Sequence, residues 1–244
     1  MKIKTLLGLI VFFCLSVNIA YSSVEVFSKY DTIMTIDSND LIYVNKSLTL
    51  KNVYEVGIVP GQIEFKIGRG TQGSVSSIDV LNVSAYDRFG NEIRSQVRQT
   101  QGFSIIILDV YYPLLPGFEY EFNLNYVLSY NPSGIFFKSL SIPLRESTIP
   151  IEKGIFQVNL PNNYYFTYID NGGTNTTIEG NVGTWDIRNN LPEQIEFEYS
   201  YIPIKIGDFQ GSYVFWIFVN LLLVLFLIYE VRKEIKRFRN EYEQ

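Results

Sequence analysis

Histidine is missing from this chain of 244 residues, and cysteine occurs once, at Cys14. Without imidazole there is no Ser-His-Asp or Cys-His couple, no general base tuned near neutral pH, and no histidine metal ligand. Cys14 lies in a segment expected to be removed. The mature chain then has neither disulfides nor thiol chemistry, and an exported domain of that kind relies on its core or its partners for stability. Methionine and tryptophan are scarce too, with two of each. What is abundant is Tyr and Phe, 18 of each, in a chain that is 47% hydrophobic, ample for one or two packed domains.

Both ends read as membrane-targeting segments. Lys2 and Lys4 precede an apolar run from Leu6 to Val17, and "AYS" at 20–22 supplies small residues before an expected cut after Ser22. Residues 1–22 are therefore expected to be a signal peptide. Near the other end, residues 213–229 ("YVFWIFVNLLLVLFLIY") carry no charge, and at about 1.5 Å per residue they reach roughly 25 Å as a helix. Arg232, Lys233, Lys236, Arg237 and Arg239 follow in the tail, 230–244, against Lys205 alone on the near side of the other flank. The positive-inside bias predicts a cytoplasmic C-terminus, and the signal peptide predicts an exported N-terminal region. The expected location is a cell membrane, or the endoplasmic reticulum membrane in a eukaryote.

The region between, about Ser23 to Ser212, holds 21 acidic and 13 basic side chains. That balance argues against nucleic acid, whose phosphates need a basic face. The region reads as β throughout. In "FEYEFNLNYVL" (118–128), Phe118, Tyr120, Phe122, Leu124, Tyr126 and Leu128 alternate with mostly polar residues, the mark of a strand with one buried face. Segments 32–36, 47–53, 62–67, 104–110, 155–160 and 194–201 read as further strands, and Pro60-Gly61, Gly90-Asn91, Pro116-Gly117 and Asn171-Gly172 punctuate them. The expected fold is all-β: two small antiparallel sandwiches, immunoglobulin-like or adaptin-like, over 23–130 and 131–208, then one transmembrane helix. A single larger sandwich is the alternative.

Motifs that resemble chemistry weigh out as structure. "IGRGTQGSV" (67–75) fits a glycine-rich phosphate loop through Gly68, Gly70 and Gly73. A dinucleotide loop must open a helix, but strand-like sequence follows; a kinase loop needs a nearby strand lysine and a His-Arg-Asp loop, and both are missing. The segment reads as a hairpin connection, and no nucleotide or other cofactor is expected. Glu119 with Glu121, and Glu196 with Glu198, lie about 7 Å apart on one strand face; both pairs read as solvated faces rather than a glycosidase pair. "DSND" (37–40) and "DNGGTN" (170–175) read as turns with no completed calcium loop, and no metal ligand is assigned. Three sequons, at Asn45, Asn82 and Asn175, are candidate glycosylation sites, Asn175 the best placed and Asn82 the worst. No nucleophile has an identifiable base, so no catalytic residue is expected and the chain reads as non-enzymatic.

Stretches 30–52, 111–130 and 183–203, in the order signal, β ectodomain, span and basic tail, resemble the first luminal half of ribophorin I, a non-catalytic subunit of oligosaccharyltransferase. The layout is also similar to that of uncharacterised prokaryotic single-pass membrane proteins. The resemblance implies an accessory or scaffold role, linked in the ribophorin case to protein glycosylation, and carries no catalytic residue. A cell-surface binding or adhesion module is the alternative.

The anchor has a pattern of its own. Asn220, Val224, Leu227, Val231, Ile235, Phe238 and Tyr242 follow helical spacing, with the five basic tail residues off the stripe. One expectation is that this face packs on a second membrane helix, with Asn220 bonding across; the other is that Asn220 bonds to its own helix backbone and the tail stripe lies on lipid.

Overall fold

The computed structural model describes residues 23–68, 78–130, 132, 136–143, 146–170, 175–188, 194–205 and 209–242, with side chains to 239. The expected signal segment with Cys14, the glycines Gly70 and Gly73, most of the 170–175 turn, and the Tyr242 side chain lie outside what is described.

In chain order the strands are β1 (Glu25–Ile36), β2 (Leu41–Asn52), β3 (Gly61–Gly68), β4 (Ile78–Asp87), β5 (Glu92–Ile93), β6 (Ser95–Gln99), β7 (Phe103–Val110), β8 (Glu119–Tyr130), β9 (Phe137–Pro143), β10 (Lys153–Asn159), β11 (Tyr165–Asp170), β12 (Asn175–Glu179), β13 (Val182–Arg188) and β14 (Gln194–Ser200). One helix, α1 (Gly211–Tyr242), follows. The all-β region followed by a single helix is as the alternation predicts.

Three sheets form. The largest has eight strands in the order β12-β13-β10-β1-β2-β8-β4-β5, and two three-stranded sheets run β3-β7-β6 and β11-β14-β9. β8 illustrates the cause: Phe122, Leu124, Tyr126, Leu128 and Tyr130 are buried while Glu121 and Asn123 face water. The β1–β2 turn is set by Asp37, whose carboxylate accepts the N–H groups of Asn39 and Leu41, both at 2.8 Å, while Asp40 takes a left-handed φ of 61°.

The large sheet crosses the expected domain boundary near Asn131-Pro132. β1 pairs in parallel with β10 (Thr32 beside Phe156, Met34 beside Val158), an isolated parallel bridge joins Phe27 to Ile151, and the other strand pairs among the described residues are antiparallel. The side chains packed between the layers form one hydrophobic cluster, which takes Phe65, Ile106 and Leu108 from one small sheet and Leu140, Phe166 and Phe197 from the other. One eight-stranded sheet and one core thus serve both small sheets. Gly154 permits the join, because a Cβ there would collide with the Tyr30 carbonyl. The loop before β10 is pinned as well: Phe27 N–H donates to Pro150 O at 2.8 Å, Glu152 N–H to Phe27 O at 2.9 Å, and Lys66 N–H to Glu146 O at 2.7 Å.

The glycine-rich connection expected after Gly68 lies at 69–77, outside the described residues; of the strands on either side of it, β3 pairs with β7 and β4 belongs to the large sheet. Glycine spacing reports a turn but not which strands it joins.

Candidate functional site

The interior holds a charge. Lys46 lies on β2 between Val44 and Leu48 on the inward face, and only 2% of it is exposed. Its Nζ is 2.7 Å from Glu146 Oε2 and donates to the Tyr30 hydroxyl at 2.9 Å; Tyr126 O–H donates to the same carboxylate at 3.3 Å. The ammonium also sits 4.6 Å from the Tyr30 ring centroid. Burial, reinforced by the Glu146 charge, pushes the Tyr30 and Tyr126 phenols well above their ordinary range. Each member is satisfied by the others, and the cluster ties β1, β2 and β8 to the loop that enters the second half.

A second buried carboxylate shapes the base of the helix. Glu198 was expected on a solvated face, but it is 2% exposed. Its carboxylate accepts Thr167 O–H at 2.7 Å, Ser212 N–H at 3.1 Å and the Ser212 hydroxyl. It therefore caps the N-terminus of α1 from a neighbouring sheet, where free N–H groups and the positive end of the helix dipole favour an anion. Gly211 allows the approach: a Cβ there would stand 2.7 Å from Ile204 O and 2.8 Å from Thr167 Cβ. Phe215, one turn along, packs on Phe136 at 5.8 Å and Phe137 at 5.5 Å between ring centroids. Glu119 and Glu121 are exposed, as expected.

α1 is long and apolar enough to cross a membrane. Its 32 residues rise about 48 Å, so the helix runs past the apolar stretch through the basic tail. Asn220 donates its side-chain amide to Trp216 O at 2.8 Å, one turn back on its own helix. Val224, Leu227, Val231, Ile235 and Phe238 are all exposed on the isolated chain.

The sequon residues share a face. Asn45 lies mid-strand on β2 between Ile33 and Asn125, Asn82 at the β4 bulge, and Asn175 at the first position of the edge strand β12. All three project from the side of the large sheet opposite the small sheets. A trough of about 280 Å³ there is lined by Thr35, Tyr43, Asn45, Asn82 and Asn125. A neighbouring groove of about 710 Å³ carries the ion pairs Lys29–Asp31 (3.2 Å) and Arg188–Asp186 (2.8 Å).

The feature that periodicity could not assemble is at the end of the sheet far from α1. Lys138 binds Asp40 in the β1–β2 turn at 2.5 Å, and Phe137 beside it packs on the helix, so the turn and the helix base share one end. From there β2 and β8 each run 12 residues, about 37 Å, to the opposite end. Three loops meet at that end. Asn52, fully buried, donates to Val56 O at 2.8 Å and Leu114 O at 2.9 Å and accepts Tyr54 N–H at 2.8 Å. Ile58 and Leu114 exchange both backbone hydrogen bonds. Arg88 N–H donates to Glu121 O, bringing in the β4–β5 turn. The loops hold Phe89 (74% exposed), Phe118 (62%), Tyr112, Leu115, Val56 and Val59 in the open. Tyr112 stacks on Tyr120 at 5.5 Å, the Arg88 guanidinium lies 4.6 Å from the Phe89 ring centroid, and a cleft of about 410 Å³ runs between them. Asp87, Glu119 and Glu121 line the same cleft against Arg88 alone, giving it a rim of net negative charge. Exposed apolar clusters rimmed by polar groups mark interaction surfaces.

No protein-family model matches the chain. An uncharacterized protein of Methanocaldococcus jannaschii is 26% identical over 133 residues, 54% of this chain and 92% of that protein. Among solved structures, a candidate nutrient binding protein from Legionella pneumophila matches with a TM-score of 0.52 at 10% identity, over 72% of this chain and 67% of that one. That likeness is one of fold. An M1 zinc metallopeptidase from Deinococcus radiodurans matches with a TM-score of 0.39 at 12% identity; this chain spans 42% of its length. The expectation of a non-enzymatic chain is corrected on this finding: proteins that share part of the architecture include enzymes, so the exclusion is withdrawn. The likeness transfers no activity. Among the described residues no group of three or more Asp, Glu, Cys or His side chains is placed to hold a metal.

Proposed function

We propose that the chain is a single-pass membrane protein whose β region faces the extracytoplasmic side and which serves as an accessory or scaffold subunit, holding a partner protein at the far tip of its large sheet. The observation that carries the reading is the exposed apolar tip itself. Two loops stapled by the buried Asn52, and the β4–β5 turn tied in through Arg88 N–H to Glu121 O, hold Phe89, Tyr112 and Phe118 in water, about 37 Å from the helix base. Flexible loops would bury such rings on their own domain; these are held out by backbone and side-chain hydrogen bonds.

The rim names the partner's chemistry. Asp87, Glu119 and Glu121 beside an aromatic centre suit a protein segment with apolar side chains flanked by basic ones. The acidic balance of the whole region, 21 against 13, works in the same direction. The resemblance to ribophorin I supports an accessory role by layout, while the matched proteins reported above include no ribophorin. The apolar stripe of α1 offers a second face for a membrane helix, with packing rather than Asn220 supplying the affinity, since that amide is already bonded.

The test is the size of the complex in mild detergent. Native protein is expected to migrate with a partner, and the variant Phe89→Ser/Phe118→Ser to migrate without it. Release by removing α1 alone, with the tip intact, would favour the helix as the binding element. A free-standing β region that still holds its partner would favour the binding-module alternative. Native protein running as a lone chain would reject the scaffold reading.

A further inference from the structure

We infer that the helix end of the β region seats on the interfacial layer of the bilayer through an aromatic collar, so that the region stands at a fixed angle instead of swinging on a tether. The inference rests on the reading of α1 as a span and goes beyond it.

Two observations carry it. The first is the weld between β region and helix. Between Ser200 and Gly211 only a short connection runs, and its end is locked: Glu198, buried, holds both the N–H and the hydroxyl of Ser212. Gly211 lies against Ile204 O and Thr167, and Phe215 is wedged by Phe136 and Phe137. A helix entered this way cannot pivot at its first turn without breaking a buried charge-assisted contact.

The second is what surrounds the weld. Phe136 and Tyr201 meet at 6.2 Å between centroids, Phe136 meets Phe215, and Phe215 meets Trp216 at 5.6 Å. Tyr201, Phe209 (68% exposed), Tyr213 and Trp216 are open to the surroundings. Phe136, Tyr201, Phe215 and Trp216 therefore form one chain of rings from the β region to the first turns of the helix, and Phe209 and Tyr213 add exposed rings close by in sequence. In sequence the connection between Ser200 and Ser212 carries two charged residues, Lys205 and Asp208, of opposite sign. Aromatic rings with polar edges concentrate where headgroups meet acyl chains. A second copy or a partner could cover such rings, but Phe215 and Trp216 belong to the first turns of the span itself, so the bilayer is the surface their neighbours meet first.

The experiment uses the full chain in phosphatidylcholine vesicles whose acyl chains are brominated near the headgroup. Trp185, fully buried, gives a constant background. Trp216 in the native chain reports the span. Tyr201→Trp and Phe209→Trp, each in a Trp216→Phe background, report the collar. The expected result is quenching at 201 and 209 comparable to that at 216. In Tyr201→Trp with Ser212→Ala, which removes one bond of the weld without touching the core, quenching at 201 should fall, while Ser212→Ala alone leaves Trp216 quenched. Quenching at 216 with none at 201 and 209 overturns the collar and leaves the span standing. Absence of quenching at 216 rejects the span reading itself. Quenching at 201 unaffected by Ser212→Ala overturns the fixed angle.

Discussion

Removing the Glu146 carboxylate should be among the most damaging single changes available in this chain. Glu146 and Lys46 are 7% and 2% exposed and 2.7 Å apart. Taking away one member of a buried pair strands the other, at a cost of about 3–5 kcal/mol. Glu146→Leu also strips Tyr126 of its acceptor. A domain of this size is stable by about 5–15 kcal/mol, so the variant should approach unfolding. Adding Lys46→Met removes the stranded charge but leaves the Tyr30 and Tyr126 hydroxyls, each unpaired buried group costing about 1–3 kcal/mol. Adding Tyr30→Phe and Tyr126→Phe removes those as well. The expected order of stability is single below double below quadruple, with the quadruple close to native. The assay is urea unfolding followed by Trp185 fluorescence in a Trp216→Phe background. Because Lys46 and Glu146 come from the two halves, one transition should move as a whole. A loss below about 1 kcal/mol in the single variant, the value of a solvated ion pair, would refute the reasoning.

Gly154→Ala should destabilise by about 1–3 kcal/mol or more through overpacking against the Tyr30 carbonyl, read as a lower urea midpoint, whereas Gly102→Ala, with open space around it, should not. Stability should fall as pH rises above about 10. Burial raises the phenols of Tyr30, Tyr126, Tyr130 and Tyr199 above their ordinary values, so above that pH the unfolded chain binds fewer protons than the folded one. Their stabilising contribution is complete at lower pH, and urea midpoints on either side of about pH 10 measure the loss. Ile235→Ser with Phe238→Ser should weaken detergent-stable association through the stripe of α1, while Asn220→Leu, whose native amide bonds to Trp216 O, should change it little; crosslinking in native membranes separates the two.

Much of the fold is visible in residue alternation. "FEYEFNLNYVL" and "QIEFKI" announce β8 and β3, and the uncharged run after Tyr213 announces α1. The β1–β10 pairing is not visible, because a parallel contact between strands more than a hundred residues apart has no hairpin signature and depends on one glycine. Lys46 did leave a signal: it occupies the inward phase of Val44, Leu48 and Leu50, which a solvated lysine would not. Glu198 left none, since alternation with Phe197 and Tyr199 suits a wet face unless a helix end covers it. The tip was illegible for another reason. Its rings come from three loops separated in sequence, and exposure is a property of the assembled end, not of any local pattern.

The scaffold reading is tested most directly by site-specific photo-crosslinking in native membranes. A photoreactive residue at position 89 or 118 should give the same discrete adduct, and Tyr112→Ser with Leu115→Ser should abolish it. The same residue at 177, on the open face of β12, should give none. Equal labelling at all three positions, or no adduct at 89 and 118, would contradict the account.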